Sequence, residues 1–573
     1  MAIAEIGTVR PADVLIIGGG LAGLFAAIKA KEAGAEDVLI IDKGAVGLTN
    51  RYQFSGGYTI FLLPDDDGDQ WLRGFVAGQQ GMCPQNKIEK ILSQSAARLA
   101  DLEQMGLIFP KESGNGGYRR IPSRGLGPVK TLCPPTFKNL AGGPAVTAAL
   151  LKKVRSLGVK FQEKTFVSDL IVSDGQVSGA VGCHRRSGEF FIFPAKAVVI
   201  AGGDCSFRGN YVGVEQVTGD TFAIAHRAGA DLANMEFLIC NTGPTDFGLR
   251  GTGPLAKNGA VFRNAKGEDF LKKYADAGSR AECSDIVQGM AQEVRAGGGP
   301  TFYFDLTPTP DDTEAHFLAE GGWMARSLTR LKERDTTVFD REIEWVPVIQ
   351  TLRGGMQTNA SCLSNIDGLF AAGTANSTGP GLFTGWSSAK CIWSGTTAGI
   401  SAAHFANDTA PDLPEAEQIH DLKSGLFNRP VDPGFGDVTL ADVTRRMQQI
   451  LFAFDTSILK QEERLMKAEM NLVELKDDQL GRTKVAGFHD FIRFKETENM
   501  FLTAELFLKA SQLRRESRAD HRREEYPNRD DAEWLKWIIF NRQLKEGYRL
   551  AEFPWDKYKY GADELIAIEE TTA

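Results

Sequence analysis

Residues 13–42 constrain the fold of this chain more than any other stretch. They read, in order, as an apolar run, a cluster of glycines, a helical run and a second apolar run that ends on an acid. In this arrangement Gly18 allows a tight turn, Gly20 lets the backbone approach a pyrophosphate, and Gly23 lets the helix pack closely on the first strand. The stretch therefore predicts a Rossmann-like unit in which amides at a helix N-terminus bind phosphate groups.

Asp42 strengthens this prediction. It lies about 20 residues beyond the glycines, where a carboxylate can accept hydrogen bonds from both hydroxyls of an adenosine ribose. The alternative is a glycine-rich turn in some other α/β fold, and the position of the glycines between two apolar runs favours the dinucleotide site. The motif by itself does not separate FAD from NAD.

Length and charge limit the remaining possibilities. The chain has 573 residues, which predicts about three or four domains. Its net charge of -9 argues against a nucleic-acid partner, which would require a basic surface. No apolar run approaches the roughly 18 residues of a membrane span, and the first ten residues carry Glu5 and no apolar segment of a secretory signal. We therefore expect a cytoplasmic protein without a membrane span.

The spacing of the cysteines predicts that this chain itself carries no metal cluster. Eight cysteines are scattered singly along the chain, and none forms a C-x-x-C pair. This spacing predicts buried free thiols and no iron–sulfur cluster or structural zinc in this chain. Any cluster that passes electrons would then lie on another polypeptide.

Several further segments are suited to placing backbone beside a ligand. The polar loop after Asp42 closes on Ser55-Gly56-Gly57, and a fully apolar strand, 197–201, runs into Gly202-Gly203. Residues 165–172, 176–183 and 190–193 predict a small antiparallel sheet with a turn at Asp174-Gly175. Thr218 and Asp220 open the next helix, where they either cap it or contact a cofactor.

The order of these motifs resembles the flavoprotein superfamily of fumarate reductase and succinate dehydrogenase, which also contains L-aspartate oxidase and the flavoprotein of adenylylsulfate reductase. The matching segments are G-G-G-L-A-G at 18–23, I-I-D-K at 40–43, S-G-G at 55–57, A-V-V-I-A-G-G at 197–203, T-G-D at 218–220, the run 227–237, G-L-F-A-A-G at 368–373 and the charged run 515–536. The resemblance covers residues 12–540 and is more specific than the glycine motif alone.

The resemblance implies an α/β fold with FAD as the cofactor. It implies a discontinuous Rossmann-like FAD-binding domain, 1–240 and 346–410, an inserted α+β capping domain, 241–345, a C-terminal helical domain, 411–540, and a tail, 541–573. In membrane-bound members a histidine at the position of Asn50 forms a covalent bond to the flavin. Because asparagine cannot form this bond, we expect noncovalent FAD.

The glycine motif and the resemblance together give a set of cofactor-binding candidates. They are Gly18, Gly20, Leu21, Ala22, Gly23, Asp42, Lys43, Gly44, Asn50, Ser55, Gly56, Gly57, Phe166, Val167, Ala201, Gly202, Thr218, Asp220, Gly373, Thr374, Gly385, Ser387 and Ser388. No metal ligands are predicted.

The substrate positions of the family differ in this chain. By alignment, one substrate histidine becomes Asn241 and a second, in H-Y-T-M-G-G-I, becomes Gln350 of the run 350–356. The proton-delivering arginine becomes Ser284, and a second arginine becomes Leu382. Two carboxylates in a closed site require fixed cations, so the resemblance implies a small neutral or aromatic substrate rather than a dicarboxylate.

The candidate catalytic residues follow from the same alignment: Asn241, Gln350, Arg353, Thr384 and Trp386. Arg353 is expected either near the pyrimidine edge of the flavin or the substrate, where a cation stabilises the reduced ring, or in an ordinary ion pair. Trp386 either stacks on a ring or packs in the core.

The function implied is that of an FAD-dependent oxidoreductase that moves a hydride between a substrate carbon and flavin N5. One alternative is a flavoprotein like that of adenylylsulfate reductase, which works with a ferredoxin-like iron–sulfur partner. For the partners, the alternative to an iron–sulfur chain is a homo-oligomer. In both cases the substrate is a small molecule. The last alternative is a flavin-binding scaffold without catalysis.

Overall fold

The structure, a computed structural model, describes residues 3–114, 116–245, 252–320, 322–334, 338–339, 341–381, 383–410, 414–429, 431–432, 434, 436–565 and 568. One predicted site position, Leu382, lies outside the described residues.

Most strands are short, and the longer ones belong to the two main sheets. They are β1 (Thr8–Val9), β2 (Ala12–Ile17), β3 (Val38–Ile41), β4 (Thr59–Ile60), β5 (Arg120–Pro122), β6 (Lys130–Leu132), β7 (Thr136–Phe137), β8 (Leu140–Ala141), β9 (Lys160–Gln162), β10 (Thr165–Ser173), β11 (Gln176–His184), β12 (Phe190–Ile200), β13 (Leu232–Ala233), β14 (Leu238–Pro244), β15 (Val261–Asn264), β16 (Phe302–Asp305), β17 (Glu342–Leu352), β18 (Gly355–Met356), β19 (Leu369–Ala371), β20 (Leu459–Lys460), β21 (Arg522–Arg523), β22 (Lys536–Phe540) and β23 (Tyr548–Glu552).

The longest helices lie in the second half of the chain. The helices are α1 (Ile3–Ile6), α2 (Leu21–Glu32), α3 (Gly68–Gly78), α4 (Gln85–Ser93), α5 (Ser95–Gln104), α6 (Gly143–Ser156), α7 (Asp220–Ala228), α8 (Thr252–Lys257), α9 (Cys283–Arg295), α10 (Thr313–Glu320), α11 (Gly322–Glu333), α12 (Trp386–Asp408), α13 (Ala416–Leu426), α14 (Leu440–Leu451), α15 (Glu462–Gln479), α16 (Phe488–Leu513) and α17 (Asp531–Trp534).

The main sheet confirms the Rossmann-like prediction. Eight strands of the described chain form it, in the order β10-β11-β12-β2-β3-β9, with β1 and β19 also paired to β12. The strands β12, β2, β3 and β9 are parallel, so their carboxyl ends lie at one edge. The antiparallel strands predicted from residues 165–193 are confirmed, but they do not form a sheet of their own. Because β12 runs unbroken from Phe190 to Ile200, the antiparallel strands β10 and β11 belong to the same sheet.

Glycines allow the helices to approach this sheet and one another. A side-chain carbon at Gly23 would overlap the carbonyl oxygen of Gly18, so only glycine permits α2 to begin this close to β2. The long helix α12 packs along α2, and side-chain carbons at Gly395 or Gly399 would overlap carbonyl oxygens of α2. These contacts fix the N-terminus of α2 at the carboxyl edge of the sheet.

A second sheet lies beyond this edge, in the order β14-β17-β16-β15, with its own aromatic core. The rings of Phe262 and Phe304 are stacked with centroids 4.4 Å apart. The predicted capping domain contains this sheet, but both predicted boundaries fall inside strands, since β14 begins at Leu238 and β17 ends at Leu352. The domain limits stay a prediction.

The C-terminal region is helical from α13 to α16, and its last part returns to the body of the chain. Strand β22 pairs with both β13 and β23, so the end of the predicted helical domain is a strand. The tail packs on α4, where the backbone of Tyr560 exchanges two hydrogen bonds of 2.9 Å with the Gln85 side chain. The aromatic tail therefore docks on its own chain.

Candidate active site

A deep cleft opens at the carboxyl edge of the main sheet, where β2, β3 and β12 end beside α2. Eighteen of the predicted cofactor residues line it: Gly18, Gly20, Leu21, Ala22, Asp42, Lys43, Gly44, Asn50, Ser55, Phe166, Val167, Ala201, Gly202, Asp220, Gly373, Thr374, Ser387 and Ser388. Residues from five separate parts of the sequence therefore meet in one cavity.

The phosphate-binding end of the cleft is built as the glycine motif predicts. Gly18 has a φ of 108°, and a side-chain carbon there would lie 2.5 Å from the carbonyl oxygen of Ala201. Gly20 caps α2, and the first turn of α2 carries no acidic residue that would compete with a phosphate. The free amides of this turn and the helix dipole together form an anion site.

Asp42 is held in place by backbone amides. Its two carboxylate oxygens accept hydrogen bonds from the amides of Gly19, at 2.7 Å, and Gly44, at 2.6 Å. Burial raises the pKa of Asp42 above its usual value, against the lowering effect of these two bonds and of the Lys43 charge. Each oxygen keeps a second lone pair, which is the arrangement that ribose hydroxyls require.

Lys43 joins the cleft to the C-terminal helices. Its ammonium group donates to Thr218 at 2.8 Å, Asp220 at 2.7 Å and Glu496 of α16 at 2.8 Å. Burial lowers the pKa of Lys43, but the charges of Asp220 and Glu496 outweigh it and raise the pKa. The cap of α7 is Gly219, without a side-chain bond, so Thr218 and Asp220 do not serve as simple caps. Asp220 lines the cleft and Thr218 lies behind it.

Three side chains in the cleft keep polar atoms without a partner in the described part of the chain. They are Nδ2 of Asn50, the hydroxyl oxygen of Tyr52, and Nε and Nη2 of Arg353. Arg353 is only 4% exposed, and its remaining nitrogen, Nη1, lies 3.4 Å from Oγ of Ser387. Burial raises the pKa of Tyr52 to about 12, so that it stays a neutral donor. Buried donors without acceptors fit a bound ring whose edge carries oxygen and nitrogen atoms.

Two family models account for most of the chain. The FAD binding domain model matches residues 13–385, and the fumarate reductase flavoprotein C-terminal model matches residues 444–560. The chain belongs to the fumarate reductase and succinate dehydrogenase flavoprotein family. This flavoprotein binds FAD and is an FAD-dependent oxidoreductase. The resemblance drawn from the motifs is thus confirmed, and so are the fold class and the cofactor.

Individual relatives span nearly the whole flavoprotein. An uncharacterized FAD-dependent oxidoreductase of Methanocaldococcus jannaschii is 27% identical and covers 92% of this chain and 96% of its own. One subunit of the fumarate reductase (CoM/CoB) of Methanothermobacter marburgensis is 26% identical, with 93% and 97% covered. A solved structure of the E. coli quinol fumarate reductase flavoprotein has the same fold, with a TM-score of 0.81 at 23% identity, covering 95% and 97% of the two chains.

A second cavity, which we call the chamber, adjoins the cofactor cleft. It lies beneath the sheet β14-β17-β16-β15, which we call the capping sheet. Four side chains line both cavities: Ser55, Gln350, Ser387 and Ser388. The chamber measures about 480 Å³, and its other lining groups include the rings of Tyr58, Tyr211 and Phe383. A substrate in the chamber would therefore meet the cofactor along these four shared residues.

The predicted pair Asn241 and Gln350 meet in the chamber, on the neighbouring strands β14 and β17. Nδ2 of Asn241 donates to Oε1 of Gln350 at 3.1 Å and reaches Tyr211 at 3.4 Å. Oδ1 of Asn241 accepts from the thiol of Cys283 at 3.2 Å and from the Thr242 amide at 2.8 Å. The two predicted substrate positions are therefore joined here as a neutral carboxamide pair.

The chamber nevertheless carries charges that the alignment did not predict. Arg124 forms an ion pair with Glu282, donates to the carbonyl oxygen of Ala281 at 2.6 Å and contacts the sulfur of Cys283 at 3.6 Å. Glu282, Asp285, Asp520 and Arg522 also line the chamber. One of the two arginines in the chamber, Arg124, is thus already bound to an acid.

One catalytic prediction, Trp386, is wrong, and several predicted cofactor residues lie outside the cleft. Trp386 is fully buried and packs on Phe75, with ring centroids 4.6 Å apart, so it lines neither cavity. Thr384 lines the chamber, but its carbonyl oxygen accepts from Ser123 and Thr131, each at 2.9 Å. The remaining cofactor candidates that lie outside the cleft are Gly56, Gly57 and Gly385, which line the chamber, and Gly23, which packs α2 on β2.

One ion pair among the residues that line the cleft was not predicted from the sequence. Arg51 and Asp204 face each other across the cleft, with Nη1 3.0 Å from Oδ2, and Thr351 donates to the same carboxylate at 2.5 Å. The only signal for Asp204 was its position directly after Gly202-Gly203. Within the described residues, no group of three metal-ligating side chains is present and no helix is long and apolar enough to cross a membrane.

Replacement of Gly20 by valine is expected to abolish FAD retention without unfolding the protein. A side-chain carbon at Gly20 would meet only Cβ of Asn50, 3.7 Å away, so the protein tolerates it while the added atoms occupy the phosphate site. The measurement is visible flavin absorption per protein, with circular dichroism as the fold control. The matched variant Gly425→Val, on α13 where no atom lies within 4 Å, should stay yellow. A yellow, stoichiometric Gly20 variant would contradict the phosphate site.

Asp520 should make stability depend on pH. Burial raises the pKa of Asp520 to about 6, above its value of about 4 in the unfolded chain. The folded state therefore binds the proton more tightly, and this contribution to stability is lost as the pH rises from about 4 through 6. Asp520→Asn should match the wild type in unfolding free energy at pH 4 and exceed it at pH 8, by at most about 2 kcal/mol because the group is partly exposed. Equal differences at both pH values would contradict this assignment.

Proposed function

We propose that this flavoprotein exchanges a hydride between FAD and a small neutral or aromatic substrate, rather than a dicarboxylate. The relatives named above include fumarate reductases, which by name act on a dicarboxylate. The observation that carries the proposal is the hydrogen-bonded pair of Asn241 and Gln350, at 3.1 Å, in the chamber beside the cofactor cleft. A carboxamide pair offers donors and acceptors but no positive charge.

The charges of the chamber also disfavour a diacid. Three carboxylates line it, those of Glu282, Asp285 and Asp520. Of the two arginines there, Arg124 is bound by Glu282, which leaves Arg522 as the second lining cation. A substrate with two negative charges would meet more carboxylates than cations, and such contacts in a closed site cost several kcal/mol.

The apolar part of the lining supports an aromatic or partly apolar substrate. Tyr58, Tyr211 and Phe383 bring three rings to the chamber. Such rings bind planar substrates by stacking or edge contacts, while a few fixed polar groups orient them. Tyr211 also contacts Asn241 at 3.4 Å, so the ring and the carboxamide pair form one surface.

The roles of the residues follow from their positions. FAD, when bound, supplies the hydride chemistry at its N5 atom. The amides of α2 and the Asp42 carboxylate would hold its phosphate and ribose groups, and Lys43 would fix the loop beside them. Gln350 would orient the substrate, because its Oε1 accepts from Asn241 and its Nε2 donates in no hydrogen bond among the described residues.

Rapid anaerobic mixing of the oxidised holoenzyme with a substrate panel tests this proposal. Bleaching of the flavin spectrum reports reduction, and the reduced enzyme can be mixed with the oxidised partners in the same way. Uncharged unsaturated ketones, cyclic alcohols and phenols form one group; succinate and fumarate form the other. We expect turnover only within the first group. The variant Gln350→Ala should weaken binding of the reactive compound about tenfold, because one amide contact is lost. Robust turnover of succinate or fumarate would overturn the proposal, and reaction with no compound would favour a flavin-binding scaffold.

We also propose that electrons leave or reach this flavin through a separate iron–sulfur polypeptide. One relative is itself named as one subunit of a larger enzyme. All eight cysteines of this chain are free, six of them buried, so they supply no cluster.

Purification of the tagged protein from its native host tests this partner. A stoichiometric, cysteine-rich second chain with a broad absorption beside the flavin bands is expected. Recovery of the flavoprotein alone, as a monomer or homo-oligomer with full activity, would contradict the proposal.

A further inference from the structure

Arg353 lies at the end of β17, three residues beyond Gln350, and its side chain is buried in the wall of the cofactor cleft. Its guanidinium forms no ion pair with any described residue, and Nε and Nη2 have no hydrogen-bond partner. A buried guanidinium with unsatisfied donors costs several kcal/mol. The surface or inter-domain ion pair considered from the sequence is therefore not what the structure contains.

The charges around Arg353 compensate it only in part, since Asp204 and Asp520 raise its pKa while Arg51 lowers it. Asp204, which also lines the cleft, is already bound by Arg51 at 3.0 Å and Thr351 at 2.5 Å. A second buried amine, Lys390, lies on α12, where burial and then the charge of Arg353 lower its pKa to about 7, so that it is only about half protonated at neutral pH. Burial lowers the pKa of Arg353 itself to about 10, so it stays protonated at neutral pH. The Arg353 guanidinium is thus a fixed positive charge in the wall of the cleft, suited to a group that carries or gains negative charge.

The position of Arg353 selects the part of FAD that it meets. Nη1 lies 3.4 Å from Oγ of Ser387, which lines both the cleft and the chamber, as Gln350 does. Only the flavin ring has to contact both cavities, because it exchanges a hydride with the substrate. The phosphates are instead expected at Gly20 and the N-terminus of α2, where Asn50 and not Arg353 is the neighbouring side chain.

We propose that the guanidinium of Arg353 donates hydrogen bonds to the flavin ring and stabilises the negative charge that the ring gains on reduction, and thereby sets the reduction potential of bound FAD. In this step the substrate carbon loses a hydrogen with two electrons, and the ring takes up both electrons and that hydrogen, so the ring gains one negative charge. The proton that the substrate also loses leaves separately.

Arg353 is a departure of this chain from its family. In the family motif H-Y-T-M-G-G-I the position of Arg353 is methionine, which carries no charge. This flavoprotein also has Asn50 where membrane-bound members have the histidine that bonds the flavin covalently, and a noncovalent flavin usually has a lower potential. The cation at position 353 would offset that difference. The inference rests on the cofactor cleft of the proposed function and is independent of the substrate.

The test compares the dissociation constants of oxidised and dithionite-reduced FAD for each variant, together with the midpoint potential of the loaded protein. Arg353→Met should lower the affinity for reduced FAD, relative to oxidised FAD, by about tenfold or more. For a two-electron couple this ratio converts to a potential about 30 mV lower. Arg353→Lys keeps the charge but loses the planar fork of donors, so its potential should lie between those of the wild type and Arg353→Met.

Arg155→Met is the matched control, because Arg155 is an exposed arginine on α6. It should leave the potential unchanged. An equal loss of affinity for both redox states in the Met variant, with the potential of the Lys variant unaltered, would overturn the inference. Because the affinity ratio is measured with added FAD, the result is obtained even if a variant is purified without cofactor. Failure of the substrate proposal would leave this ratio unaffected, so the two outcomes are distinguishable.

Discussion

The close approach of backbone to backbone at the carboxyl edge of the main sheet is the constraint on which the rest of the structure depends. Gly18 turns the chain beside Ala201, and Gly23 lets α2 begin directly above β2. Only this packing brings the unpaired amides of α2 to the edge where β3 delivers Asp42 and β12 delivers Gly202. A side chain at either glycine would separate helix and sheet and remove the phosphate site.

The elements predicted well from the sequence are those whose signal is local. The turn, helix and acid of residues 18–42 lie within one unit, and the residue types needed there are set by backbone geometry. The continuity of β12 was missed because a buried strand and a short antiparallel strand have the same apolar pattern. Trp386 was misplaced for a similar reason: as the first residue of α12 it faces Phe75, and the sequence alone does not give the rotation of a helix about its axis.

Contacts between distant segments could not be read from the sequence. Arg124 and Glu282 are far apart in the chain and meet only because the capping sheet lies over the loop that carries Arg124. Asp520 reaches the chamber from the C-terminal region, and Asp204 meets Arg51 across the cleft. No motif marks these residues, and each takes its role from tertiary packing.

Charge is therefore distributed differently in this flavoprotein from what its family motifs imply. The chamber has the neutral pair of Asn241 and Gln350, and one of its two arginines is bound by an acid. Arg353, which forms no ion pair with any described residue, lies instead in the wall of the cofactor cleft. A crystal structure of the protein with FAD bound tests this account most directly. The account predicts the flavin ring within hydrogen-bonding distance of the Arg353 guanidinium and beside Ser387. A guanidinium that contacts a phosphate, solvent or a carboxylate instead would contradict it.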